Sequence, residues 1–147
     1  MDQDRRVLVI DDEADVRRIL IAALRQRALV IDEAGNGHEA IGLLSEHRYS
    51  IVLLDLLMPN VDGFGVLEAI ADAANPPIVL VVTGADRPLL DQVDSRTIHG
   101  IVKKPFDPVE IADIVAACVE IRGRSAFETM AYATVMASAP LIALLKL

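Results

Sequence analysis

Tryptophan is missing from this chain of 147 residues, aromatic residues make up 3% of it, and Cys118 is the single cysteine. One thiol cannot close an internal disulfide and cannot build a cysteine-rich zinc site. So few aromatics leave no platform on which nucleobases could stack. Positive charge is also scarce: 14 Lys and Arg stand against 22 Asp and Glu, for a net charge of -8 and a pI near 4.7. Over most of its surface such a chain repels a phosphate backbone, so direct nucleic-acid binding is not expected. The start, Met1 to Arg6, runs directly into a short apolar stretch that ends in acids at Asp11. It has no signal-peptide pattern, and the expected compartment is the cytoplasm. What the chain does have is apolar content, 53% of residues, enough for one domain with a substantial core and too much for a disordered chain.

Short β-branched runs alternate with segments of helical period. Val7–Ile10 is apolar without alternation and is cut off by Asp11-Asp12-Glu13, as in a strand buried on both faces. Val16, Ile19, Leu20, Ala23 and Leu24 recur at helical spacing and predict an amphipathic helix with those residues inward. Leu29–Ile31 reads as a weaker strand. Gly35-Asn36-Gly37 turns the chain into a helix carrying Ala40, Ile41 and Leu44 on one face. Ile51–Leu54 is a strong strand stopped by Asp55; Met58 to Gly63 reads as a loop, with a helix over Val66 to Ala73. Ile78–Val82 is a further buried strand ending at Thr83-Gly84, followed by a polar helix near Pro88 to Val93 and a short strand at Ile101-Val102 before Lys103-Lys104-Pro105. Asp107 as N-cap, Pro108 at the first position and Glu110 in a capping box open the last regular helix, whose apolar face is Ile111, Ile114, Val115, Cys118 and Ile121, with Gly123 as its stop.

Five strands alternating with five helices predict a doubly wound α/β domain around a parallel sheet, with helices on both faces. In sheets of this kind ligands bind at the carboxyl ends of the strands beside the switch point. With strand order 2-1-3-4-5 (flavodoxin-like), Asp11 and Asp12, Asp55, Thr83 and Lys104 all fall at strand ends on one edge. Three carboxylates, a hydroxyl and an ammonium would meet there. Carboxylates so close raise one another's pKa unless a cation compensates, and an all-oxygen set suits Mg²⁺ or Mn²⁺ better than zinc. A carboxylate beside a metal, a lysine and a hydroxyl can attack phosphorus and form an aspartyl phosphate.

These residues resemble the receiver domain of two-component response regulators. The likeness runs from about Arg6 to Ile121. It rests on Asp11-Asp12, on Asp55 within Leu53-Leu54-Asp55-Leu56-Leu57-Met58-Pro59, on Asp62-Gly63, on Thr83-Gly84 and on Lys104-Pro105-Phe106. The resemblance implies that Asp55 accepts a phosphoryl group from a histidine kinase or histidine phosphotransfer protein. It further implies that Asp12, Asp55 and the Leu57 carbonyl bind Mg²⁺ directly, with Asp11 acting through water. Thr83 and Lys104 would sense and hold the phosphoryl group, and Asp62-Gly63 would lie in the loop beside the site. Such a protein modifies itself stoichiometrically and is not a turnover enzyme. Two departures stand out. The family usually has an aromatic residue three positions before the lysine, and here that position is Ile101. Two positions after Asp55 and after Thr83, where the family tunes water attack on the phosphoaspartate, stand Leu57 and Ala85; neither can position a water.

Taken singly, each of these residues has an ordinary structural role open to it: a charged helix start, a turn cap, a strand-end hydroxyl, a solvated lysine. Together they would require several coincidences at one edge of one sheet. Ile101 keeps open a second reading, a pseudo-receiver that serves as an interaction module without phosphorylation. A third, an aspartate-nucleophile phosphohydrolase of the haloacid dehalogenase type, needs Asp-x-Asp; Asp55 is followed by Leu56-Leu57, so the general acid is missing, and no glycine-rich P-loop is present. His38, His47 and His99 lie on polar stretches and read as surface residues, Cys118 and Met58 as packing residues.

Residues 1–122 therefore read as the receiver domain, and 123–147 as an apolar helical tail without a separate output domain. Thr129 to Leu145 carries no charge, is shorter than the roughly 20 residues a spanning helix needs, and is interrupted by Pro140. Left in water it would be a liability, so it should pack on its own domain, on a second copy or on a membrane. The expectation is a dimerising helix, signalling through protein contacts to a downstream partner the sequence does not name.

Overall fold

The computed structural model describes residues 5–59 and 63–122. Five strands, β1 (Arg6–Ile10), β2 (Val30–Ala34), β3 (Ile51–Leu54), β4 (Ile78–Thr83) and β5 (Gly100–Lys103), form one parallel sheet in the order β2-β1-β3-β4-β5. Five helices connect or follow them: α1 (Ala14–Leu24), α2 (Gly37–Glu46), α3 (Gly63–Ala71), α4 (Arg87–Leu90) and α5 (Pro108–Arg122). This is the expected doubly wound fold with its switch point between β1 and β3.

The sheet is buried on both faces, and the period-two alternation of its strands divides the core. Val7, Val9, Ile51, Leu53, Leu80 and Val82 face α1 and α5, meeting Leu20, Leu24, Ile111, Val115 and Cys118. Leu8, Ile10, Val52, Leu54, Val79 and Val81 face the opposite way, toward Ala40 of α2 and Val66, Leu67 and Ile70 of α3. Both sets need to be apolar, which is why the strands read as unbroken hydrophobic runs. Each large side chain so buried contributes about 1.5–3 kcal/mol.

Local chemistry sets the boundaries. The Asn36 side chain accepts from the Glu39 N–H at 2.9 Å and so caps α2. Asp107 accepts from the Val109 N–H at 2.9 Å at the start of α5. After α1 a 3₁₀ turn (Arg25–Arg27) ends on Ala28 at φ 53, a left-handed position filled by a residue with a Cβ. Arg5 steadies that turn by donating to the carbonyls of Ala28 and Arg27. The peptide bond between Lys104 and Pro105 is cis.

Several details differ from the sequence expectation. Ile19, expected inward on α1, is 50% exposed, and Ile21 is buried in its place. The helix packs on the sheet and beside α5, which turns its buried stripe toward Leu20, Ile21 and Leu24. The second strand begins one residue later and runs on to Ala34, because Asp32 and Glu33 on this edge strand reach Arg6 and Arg17 while their backbone still pairs with β1. The third helix starts at Gly63, three residues earlier than expected, and the fourth is a single turn. Gly123 as the helix stop, Asp62 in the loop beside the site, and the tail at 123–147 lie outside the described residues. Among the described residues, no helix is long and apolar enough to cross a membrane.

Candidate functional site

The carboxyl ends of β1, β3, β4 and β5 each deliver one side chain to the same point. Asp55 follows β3 directly. Its backbone N–H donates to the Ile10 carbonyl at 2.9 Å, which fixes it beside the end of β1. Asp11 is fixed in turn by its own N–H on the Ala34 carbonyl and by Arg17, whose guanidinium donates to the Asp11 carbonyl at 2.6 Å. Thr83 closes β4, fully buried. Lys104 follows β5, its N–H donating to the Thr83 carbonyl at 3.0 Å.

Each oxygen of the Asp55 carboxylate has its own partners. The Thr83 hydroxyl donates to Oδ1 at 2.8 Å, and the Leu57 N–H donates to the same oxygen at 3.1 Å. Lys104 Nζ lies 3.1 Å from Oδ2. The same ammonium is 2.8 Å from Asp11 Oδ2 and 3.2 Å from Glu13 Oε1, so a single cation bridges three acids. The Ala85 N–H donates to Thr83 Oγ1 at 3.2 Å, and Lys103 donates to the Ala85 carbonyl at 2.9 Å, holding the loop after β4 against β5.

Burial makes these charges matter. The side chains of Asp11 and Asp55 are 3% and 4% exposed. Burial pushes the Asp11 carboxyl above its ordinary range, aided by the negative charge of Asp55 and opposed by the hydrogen bonds from Lys104 and the Glu13 N–H. For Lys104, burial alone would lower the ammonium, but the hydrogen bonds and charges of Asp11 and Asp55 outweigh it and raise it well above the usual lysine range. The lysine therefore stays charged at any physiological pH.

Asp11, Asp12, Glu13 and Asp55 can each offer a carboxylate oxygen, with those oxygens within 4.8 Å of one another. An all-carboxylate set with no histidine or cysteine fits a hard divalent cation such as Mg²⁺ or Mn²⁺ and not zinc. Asp12 and Glu13 are the exposed members, so the cluster opens to solvent on that side.

The structure thus brings together Asp11, Asp12, Asp55, Thr83 and Lys104, as the spacing predicted. Glu13 belongs to the same cluster; its position next to the acidic pair was the available signal. Leu57 lies one residue beyond the Asp55 turn with its side chain 51% exposed. Arg17 acts one helical turn into α1, a role no local motif announces. Cys118 is fully buried and its thiol is pushed up to about 12 by burial, and Met58 is buried beside Leu56. His38 and His47 are exposed, but His99 is not a surface residue: its Nδ1 accepts from the Val79 N–H at 3.0 Å, because a side-chain acceptor replaces a strand partner at the start of β5.

A parallel sheet of this order, carrying an acidic cluster, a buried hydroxyl and a lysine at its carboxyl edge, defines the receiver class of signalling domains. The chain belongs to the response regulator receiver domain family, whose sequence profile matches residues 7–116. Among curated relatives it is 38% identical over 130 residues to the transcriptional regulatory protein ResD of Bacillus subtilis, covering 86% of this chain and 54% of that protein. It is 35% identical over 106 residues to SrrA of Staphylococcus aureus, covering 71% and 44%. The chain spans about half the length of these relatives. Among solved structures, a CheY-like receiver domain protein from Methanospirillum hungatei superposes with a TM-score of 0.73 at 25% identity, over 82% of this chain and 99% of that one. The response regulator TrrA of Thermotoga maritima, solved in complex with Mg²⁺-BeF, gives 0.69 at 28% identity, over 78% and 98%.

Proposed function

We propose that this chain is a phosphoaccepting response regulator in which Asp55 takes a phosphoryl group from a histidine kinase or a histidine phosphotransfer protein. The observation that carries the reading is the division of the Asp55 carboxylate, one oxygen on Thr83 and the Leu57 N–H, the other on Lys104. In the transfer an Asp55 oxygen attacks phosphorus, the new O–P bond forms, and the P–N bond to the donor imidazole breaks; the imidazole leaves with the bonding pair and takes up a proton. The Thr83 hydroxyl and the Lys104 ammonium already sit on that carboxylate, so both are in place to meet the charge of the incoming phosphoryl oxygens. Asp11, Asp12, Asp55 and the Leu57 carbonyl would hold Mg²⁺ or Mn²⁺, which supplies positive charge against the phosphoryl oxygens when bound. The modification is stoichiometric, one group per chain, and not turnover.

Residues 1–122 constitute the receiver unit in this reading and 123–147 an apolar extension. The output is a change in protein–protein contacts, and the compartment is the cytoplasm, where histidine kinases present their phosphohistidine. ResD and SrrA are transcriptional regulators, and DNA binding belongs to those proteins; the acidic balance of this chain argues against direct nucleic-acid contact here.

A second reading, an interaction module that does not depend on phosphorylation, rests on Ile101, a partly buried aliphatic residue packed against the core where the family usually has an aromatic side chain. Intact mass after incubation with a small phosphodonor and Mg²⁺ separates the two. One phosphoryl group on the wild type, absent from Asp55→Ala and lost on adding EDTA before the donor, supports the receiver chemistry. No adduct on folded protein supports the interaction module.

A further inference from the structure

A cleft of about 340 Å³ opens at the end of the molecule opposite the acidic cluster, between the last turns of α2 and α3. Ile41 and Leu44 form one wall, Ala69, Ile70 and Ala73 the other, with Tyr49 and Pro77 at the closed end. Its lining is mainly apolar, with Arg48 and His47 at the rim. Nothing in phosphoryl transfer uses this cleft.

The position of Arg122 points to an occupant. Arg122, the last described residue, donates to the Pro76 carbonyl at 2.9 Å and to Asn75 Oδ1 at 3.3 Å. Asn75 also lines the cleft, so Arg122 sits beside it. The residues that follow are the most apolar stretch of the sequence: from Ala126 to Leu147 the charged residues are Glu128 and Lys146 alone. A stretch of this kind needs a partner surface. Glu128 stands six residues past Arg122 and carries the charge opposite to that of Arg48, which lines the cleft.

We infer that the chain's own segment 126–147 docks in the α2–α3 cleft, its apolar side chains against Leu44, Ile70 and Ala73. The tethered segment has a high effective concentration at a cleft that begins where the tether is fixed, an advantage a second copy of the chain lacks. The segment then serves as a cover for an apolar surface on the face of the sheet opposite α5, and not as a dimerising arm.

Photo-crosslinking of the full chain tests this. A benzophenone amino acid replaces Ala74, an exposed residue of the cleft, and in a control replaces Arg18 on α1. The expected result is a crosslink from position 74 to a peptide within 126–147 in a species of monomer mass, absent from position 18. It should be lost when Met130→Lys and Val135→Lys are introduced together. Crosslinks confined to a dimer-mass species would overturn the inference in favour of a second copy. Crosslinks that disappear as the protein sediments with phosphatidylcholine–phosphatidylglycerol vesicles would overturn it in favour of a membrane. Absence of any tail crosslink from position 74 would overturn it outright.

Discussion

His99 and Val79 are tied twice: the His99 N–H donates to the Val79 carbonyl at 2.8 Å, and the His99 ring accepts from the Val79 N–H at 3.0 Å. The second bond requires a neutral imidazole with a lone pair on Nδ1. Burial, with the positive charge of Arg122 behind it, lowers the pKa of this histidine below the ordinary 6.5. A folded pKa below the unfolded one means that the contribution is whole above pH 6.5 and is lost as pH falls from there through the folded value. Thermal midpoints measured at pH 7.5 and 5.5 should therefore fall more for the wild type than for His99→Ala. At pH 7.5 the substitution should itself cost about 1–2 kcal/mol, since it leaves a buried N–H unpaired. Equal pH slopes for the two proteins would show that His99 does not carry the effect.

Gly63 opens α3 against the backbone of the Asp55–Leu56 turn. A Cβ there would lie 2.5 Å from Leu56 Cα and 2.8 Å from the Asp55 carbonyl oxygen, neither of which can yield without moving the turn. Gly63→Ala should cost about 1–3 kcal/mol in urea unfolding, the range for an overpacked site. It should also slow phosphoryl incorporation from a small donor, because the displaced backbone is that of Asp55. A variant that loses stability but keeps the wild-type rate would separate the turn from the chemistry.

Lys104 neutralises three acids, two of them almost fully buried. Removing one partner of a buried ionic cluster typically costs about 3–5 kcal/mol. Lys104→Met should therefore unfold at a much lower temperature in EDTA and recover part of the difference in millimolar Mg²⁺. The gain with Mg²⁺ should exceed that of the wild type. If both midpoints ignore Mg²⁺, the acids do not form a cation site.

Ala28 holds a left-handed conformation that costs a residue with a Cβ about 1 kcal/mol or more. Ala28→Gly should raise stability, by up to about 1 kcal/mol after the glycine's own entropy cost, with phosphorylation untouched. Chemical denaturation of the two proteins side by side decides the sign.

On the proposed phosphoryl-Asp55, Leu57 and Ala85 offer no side chain to guide water. The phosphorylated protein should persist for minutes or longer, and Leu57→Asn should shorten its lifetime. Decay within seconds for the wild type, followed by intact mass, would refute this.

How much of this could be read in the chain depended on how each residue earns its place. Asp55 and Thr83 were legible because a strand buried on both faces is apolar throughout, so the first polar residue marks its end; on β5 that residue is Lys103, and Lys104 follows it. The extent of β2 was not, since Asp32 and Glu33 sit on an edge strand whose side chains find Arg6 and Arg17 across the surface. Ile19 and Ile21 could not be ranked, because helical spacing gives a stripe but not its rotation against α5. His99 was read as a surface group because one-dimensional polarity cannot show a ring serving as a strand partner. Glu13 stood beside the acidic pair in the sequence, and the lysine 91 positions away adds its ion pair to it.

The single turn of α4 has a mechanical meaning. A helix owes most of its persistence to the face it buries, and this one has no fully buried side chain; Leu90 and, just beyond it, Val93 make its only packing against the core. Asp55, by contrast, is held at the ends of the central strands by its N–H on the Ile10 carbonyl. The stretch from Asp86 to Arg96 is thus loosely packed, and its amides should exchange with solvent well before the sheet opens. A push delivered at Thr83 would be spent there first, as a local loosening, and not as a hinge of the whole domain.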